Sequence, residues 1–199
     1  MSAIVDKMKQ EIIERSNKFE EATKGTKDEY NIYKEHIQYV YKYVLLLSKN
    51  KKVDSEVLEL SALLHDVGMT DIELDRSKHN EYGAIIAEQL LKNNGYSEDK
   101  VQFVKMCILN HSSKRAKYRT TEEEQILVDA DGLSHFDSLP GLYSLAHNVM
   151  NLNDNDAIKF IKEKLTKDYN ELSENVKCLI EDKYRKVMTT EIIDDIIET

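Results

Sequence analysis

A chain of 199 residues with 41% apolar and 33% charged side chains can bury one sizeable core and still carry a well-solvated surface. One proline and six glycines leave too little turn chemistry for a many-stranded β fold, and a net charge of −9 argues against a general nucleic-acid-binding surface. Purely apolar runs such as Val44 to Leu47 are too short for a membrane span.

Along the chain the pattern is helical. The start, Met1-Ser-Ala-Ile-Val-Asp-Lys7, lacks the apolar core of a secretion signal, so a cytoplasmic location is expected. Cys107 and Cys178 are then expected to be reduced and buried in their apolar stretches. Val5, Met8, Ile12 and Phe19 form the stripe of a first helix that ends at Lys24-Gly25-Thr26. A second helix, about Asn31 to Ser48, carries His36 on its buried side. Asp54 or Ser55 caps a third, whose stripe of Val57, Leu60, Leu63 and Leu64 runs into His65-Asp66 before Gly68.

Beyond Gly68, the polar stretch from Asp71 to Lys78 is expected to be a loop, with His79 at the entry to a fourth helix closed by Asn94-Gly95. Ser97 caps a fifth helix that ends near His111. Thr121-Glu-Glu-Glu124 has the spacing of a capping box opening a sixth, which carries Asp129, Asp131 and His135. A short helix from Gly141 to Met150 follows Pro140. Apolar groups then recur every three or four residues from Ile158 to Val187, with a break at Ser173 and a final cap at Thr190. This is an all-α helical bundle, read as one domain over 1–199, with its core near 30–150 and the terminal helices packed on it. Those terminal helices could make a homodimer interface or pack on their own core.

The chemistry gathers at His65-Asp66. Burying an imidazole beside a carboxylate costs several kcal/mol unless they are paired or hold an ion. His36, His79, His111 and Asp131 join them at helix ends and on inward stripes, which is how bundles build metal centres. Taken singly, each has a plainer explanation: a lone buried histidine satisfies itself on a carbonyl, and a lone aspartate caps a helix. His135 and His147 fit that description. Asp129 points to a different helix face from Asp131 and would at most support it. The set of six is harder to explain this way, because each member gives the others a reason to be buried.

The order His36, then Ala62-Leu-Leu-His-Asp-Val-Gly68, then Asp129-Ala-Asp131-Gly-Leu resembles the HD superfamily of metal-dependent phosphohydrolases over roughly residues 30 to 150. That resemblance implies an HD-like bundle with His36, His65, Asp66 and Asp131 as metal ligands. It also implies that His79 and His111 join them on a second ion bridged by Asp66, with His65 and Asp66 at the catalytic centre. The segment Asp129 to Asp137 is similar to small uncharacterised HD hydrolases, and the Gly-Tyr-Pro motif of the diguanylate-phosphodiesterase branch does not occur.

Mixed imidazole and carboxylate ligands suit one or two ions of Mn, Fe, Co, Ni or Mg. The implied reaction is hydrolysis of a nucleotide or another small phosphorylated compound by metal-activated water. Within the same fold the alternatives are a di-iron oxygenase and a non-catalytic nucleotide-sensing module. Next to His111 the run Lys114-Arg115-Ala-Lys117-Tyr-Arg119 reverses the local charge. It is either a solvated loop or a phosphate clamp built on Lys114, Arg115 and Arg119, with Arg76 and Lys78 opposite.

Overall fold

The computed structural model describes residues 2–26 and 28–189, and every regular element among them is helical. The first half of the bundle runs α1 (Ala3–Thr23), α2 (Gln38–Leu47, entered through a π-helical turn at Tyr33–Ile37), α3 (Ser55–Leu64), α4 (His79–Asn93) and α5 (Glu98–His111). The second half is α6 (Glu122–Asp137), α7 (Leu139–Ser144, widening into a π turn at Leu145–Val149), α8 (Asp154–Glu171) and α9 (Glu174–Thr189). Helices α2, α3, α5 and α6 pack around one core. Helix α4 lies on α5, α1 on α3, and α8 on α6.

Sequence chemistry accounts for most of the boundaries. Asp54 accepts from the Val57 amide at 3.1 Å and starts α3. Thr121 and Glu124 form the full capping box of α6. Helix α4 stops in a Schellman turn: Gly95 takes φ +71°, its amide bonds to the Lys92 carbonyl, and the Tyr96 amide reaches back to Leu91. Ser97 occupies the N-cap position of α5 without a side-chain bond. Pro140 falls in the first turn of α7, so that helix starts at Leu139 rather than Gly141. The expected cap at Thr190 lies outside the described residues.

The core is apolar and closely packed. Ile12, Leu58, Leu60, Leu63, Leu64, Ile108, Ile126 and Leu127 are each at most 1% exposed, every one contributing roughly 1.5–3 kcal/mol by burial. Helix α3 is therefore buried almost all round, and the polar pair that ends it is delivered into the interior.

Cys107 is buried as expected, whereas Cys178 is exposed. Helix α9 buries Val176 against Leu133 and Leu172, and a residue two positions on points to the opposite side.

Candidate metal centre

Five places in the bundle deliver the site. The π turn at Tyr33–Ile37 carries His36 inward, and the end of α3 carries His65 and Asp66. His79 is the first residue of α4 and His111 the last of α5, while Asp131 sits mid-way along α6. A close approach brings two of these together. A Cβ on Gly68 would lie 2.7 Å from the His79 carbonyl oxygen, and one on Gly83 would lie 2.8 Å from the His65 carbonyl. Only glycines let the turn after Asp66 sit this tightly on α4.

The six side chains form two overlapping groups, His36–His65–Asp131 and Asp66–His79–His111. His36 Nε2 lies 3.1 Å from both His65 Nε2 and Asp131 Oδ1. Asp66 stands between the groups. Its Oδ2 is 3.6 Å from the Nε2 atoms of His36 and His65, and its Oδ1 is 3.5 Å from His79 Nε2 and 3.8 Å from His111 Nε2.

Hydrogen bonding fixes what these nitrogens present. His65 Nδ1 faces the Ala62 carbonyl at 2.9 Å, His79 Nδ1 that of Arg76 at 2.9 Å, and His111 Nδ1 that of Ile108 at 2.6 Å. A carbonyl only accepts, so each Nδ1 carries a proton, and in the neutral ring each Nε2 offers a lone pair. Ser134 gives its one hydroxyl proton to the Asp131 carbonyl at 2.7 Å and accepts from His36 Nδ1 at 3.1 Å, so His36 follows the same rule.

Four bare Nε2 atoms and two carboxylates thus meet with acceptors only. Burial lowers the pKa of His65, and burial with neighbouring His65 lowers that of His111 to about 4, so both are neutral at pH 7. Asp66 Oδ1 is buried with no hydrogen-bond partner. An orphaned carboxylate oxygen among imidazole lone pairs is satisfied by a cation and by nothing else in the surroundings. The donor set fits the ions that the sequence implied.

The centre opens into a cavity of about 330 Å³. Leu142, Leu145 and Phe160 form an apolar wall, and Arg76, Lys114, Lys164 and Lys167 bring positive charge to its sides. Of the three residues expected to clamp phosphate, Lys114 stands at this opening and the two arginines do not line it. Arg119 donates to the carbonyls of Asn110 (2.8 Å) and His111 (3.0 Å) and to Glu171 (2.7 Å), which leaves it 8% exposed. Arg115 donates to Asn110 Oδ1 at 2.9 Å and stacks on Tyr118. Both guanidiniums are spent on holding the end of α5, because the short 3₁₀ stretch Ser113–Tyr118 turns them back toward it.

Sequence reasoning missed part of the site. His135 stacks on His36 with ring centroids 4.8 Å apart, and its Nε2 lies 3.9 Å from Asp131 Oδ1. Its Nδ1 is 3.0 Å from Asp168 Oδ2, and Asp168 is bonded to Lys164 at 2.7 and 2.8 Å. The one readable signal was spacing, since Asp131–His135 and Lys164–Asp168 are both i,i+4 pairs. Asp129 turns the other way: it accepts from the Ser173 amide at 2.7 Å and hydroxyl at 2.6 Å and so caps α9. His147 pairs with Asp154 on the surface.

Comparison with known proteins agrees with the geometry. The family described as HD domain matches residues 33–135, which hold all six candidate ligands and His135. A protein of Clostridium beijerinckii described only as uncharacterised is 26% identical over 124 residues, covering 61% of this chain and 74% of its own length. No solved structure matches the chain significantly.

Proposed function

The chain belongs to the HD domain family, and from that premise we propose that it is a metal-dependent phosphohydrolase acting on a nucleotide or another small phosphorylated compound. The observation that supports this reading most is the convergence of six acceptor-only ligands around the unpartnered Oδ1 of Asp66. His36, His65 and Asp131 would hold one divalent ion and His79 with His111 a second, with one oxygen of Asp66 turned to each group. Ions held there supply Lewis acidity and lower the pKa of water to about 7.

The rest is done by the chain. The carbonyls of Ala62, Arg76 and Ile108, with Ser134, keep each Nε2 lone pair turned inward, so no ring needs to reorient for catalysis. The apolar wall of Leu142, Leu145 and Phe160 excludes water from one side of the cavity and leaves room for a small organic body. Among the described residues no helix is long and apolar enough to cross a membrane.

The test is metal analysis of protein purified without chelator, followed by a panel of nucleotides and phosphoesters with Asp66→Ala as control. We expect bound transition metal and phosphate release in the wild type, and loss of both in D66A. Protein without metal, or a D66A protein with unchanged metal and turnover, refutes the reading. Redox-cycling iron with O₂ uptake and no phosphate release would assign the site to oxygenase chemistry instead.

A further inference from the structure

We propose that Lys164 is the protein cation that binds the phosphoryl oxygens of the substrate, with Asp168 as the group that aims it. The inference rests on the phosphohydrolase reading and deepens it. Lys164 belongs to α8, beyond the segment 33–135 that the family match covers.

Its position supports the role. Lys164 lines the same cavity as Asp66, Asp131 and His135, and its Nζ is 3.3 Å from His135 Nδ1. His135 in turn stacks on the ligand His36. The ammonium therefore stands one imidazole ring away from the ligand cluster. Two of its three N–H groups go to the two oxygens of Asp168, whose side chain is 10% exposed. The third N–H is not required by His135, because Asp168 lies closer to His135 Nδ1, at 3.0 Å, and accepts the proton there. An ammonium fixed by Asp168, beside the candidate metal centre and lining its cavity, is placed to bind an anion there.

The competing cations are placed differently. Arg115 and Arg119 hold the end of α5. Arg76 lies over Phe19 and pairs with Asp28, and Lys114 and Lys167 are exposed at the rim.

The experiment uses the full-length protein loaded with Mn²⁺, with inorganic phosphate as probe in calorimetry and the best phosphoester for kinetics. In Lys164→Met, phosphate Kd and substrate KM are expected to rise about tenfold or more, as for loss of a charged hydrogen bond, with kcat changing less. Mn²⁺ should bind K164M as tightly as wild type or more tightly, because a positive charge near Asp131 is gone. Lys164→Arg should recover part of the phosphate affinity. If K164M does not fold, Lys164→Gln and K164R carry the same comparison.

Unchanged phosphate Kd and KM in a folded variant overturn the proposal. Weakening of Mn²⁺ and phosphate together also overturns it and makes Lys164 a structural residue. Wild-type protein that binds metal but neither binds phosphate nor cleaves any phosphoester fails earlier, at the phosphohydrolase reading, and takes this inference with it.

Discussion

Gly68→Ala tests how the two ligand groups are held together without removing a ligand. The new methyl group would lie 2.7 Å from the His79 carbonyl oxygen, 3.0 Å from the Gly83 amide nitrogen and 3.3 Å from Tyr82 Cβ, where ordinary contact begins at 3.4 Å. Two of these three atoms are backbone, so no side chain can swing away and α4 itself must retreat by about half an ångström or more. Overpacking of that kind costs about 1–3 kcal/mol. His79 opens α4 and its Nε2 is 3.5 Å from Asp66 Oδ1, so the same retreat opens the second ligand group. Metal sites tolerate about 0.2 Å in ligand distance, and displaced supporting groups commonly cost 10–100-fold in affinity. G68A should therefore bind one ion near wild-type strength, through His36, His65 and Asp131, and a second at least tenfold more weakly. Calorimetric titration of metal-free protein with Mn²⁺ measures both, and urea denaturation gives the stability loss. Two ions bound at wild-type affinity, in a variant destabilised by less than about 0.5 kcal/mol, would refute the reasoning.

Four further outcomes are expected. Metal-free protein should lose stability as pH falls from 6.5 toward 4, because the folded state holds His111 at about 4 and the unfolded chain takes up the proton first. The loss is at most roughly 3 kcal/mol for this group, absent above pH 6.5, and thermal melts of His111→Gln should show a flatter profile over that window. Arg119→Ala should destabilise by about 2–3 kcal/mol in urea, leaving two carbonyls and Glu171 without their donor, while KM measured on the folded fraction stays unchanged. Asp129→Ala should cost about 0.5–2 kcal/mol as a lost cap yet keep its metal, whereas Asp131→Ala should lose metal; elemental analysis separates them. Under native conditions a thiol reagent should label exposed Cys178 and spare Cys107, whose burial pushes its thiol up to about 12.

The parts of the site legible in the sequence are those governed by local rules. His65-Asp66 ends an apolar helix, His79 and His111 stand at helix ends, and Thr121-x-x-Glu124 announces α6; each is a statement about a few neighbouring residues. What stayed hidden depends on which helix faces which. The spacing of Lys164 and Asp168 is visible in sequence, but only the packing of α8 on α6 turns that pair toward His135. The basic run after His111 divides for the same reason, since counting charges does not reveal that Lys114 lines the cavity while Arg119 folds back on the carbonyls of its own helix end. Cys178 stands in an apolar stretch by composition, and α9 is simply too peripheral to bury more than one side of it.

Three of the four candidate ligand histidines are anchored by the carbonyl three residues earlier in their own chain segment. Their rings are therefore aimed as soon as the corresponding helix end forms, before the helices meet. His36 differs: its orientation comes from Ser134, ninety-eight residues away on α6. The donor set thus has an order of assembly written into it. Three of the four histidines are oriented by local contacts, and the fourth only where α2 docks on α6, which ties the complete cluster to the long-range interface of the bundle.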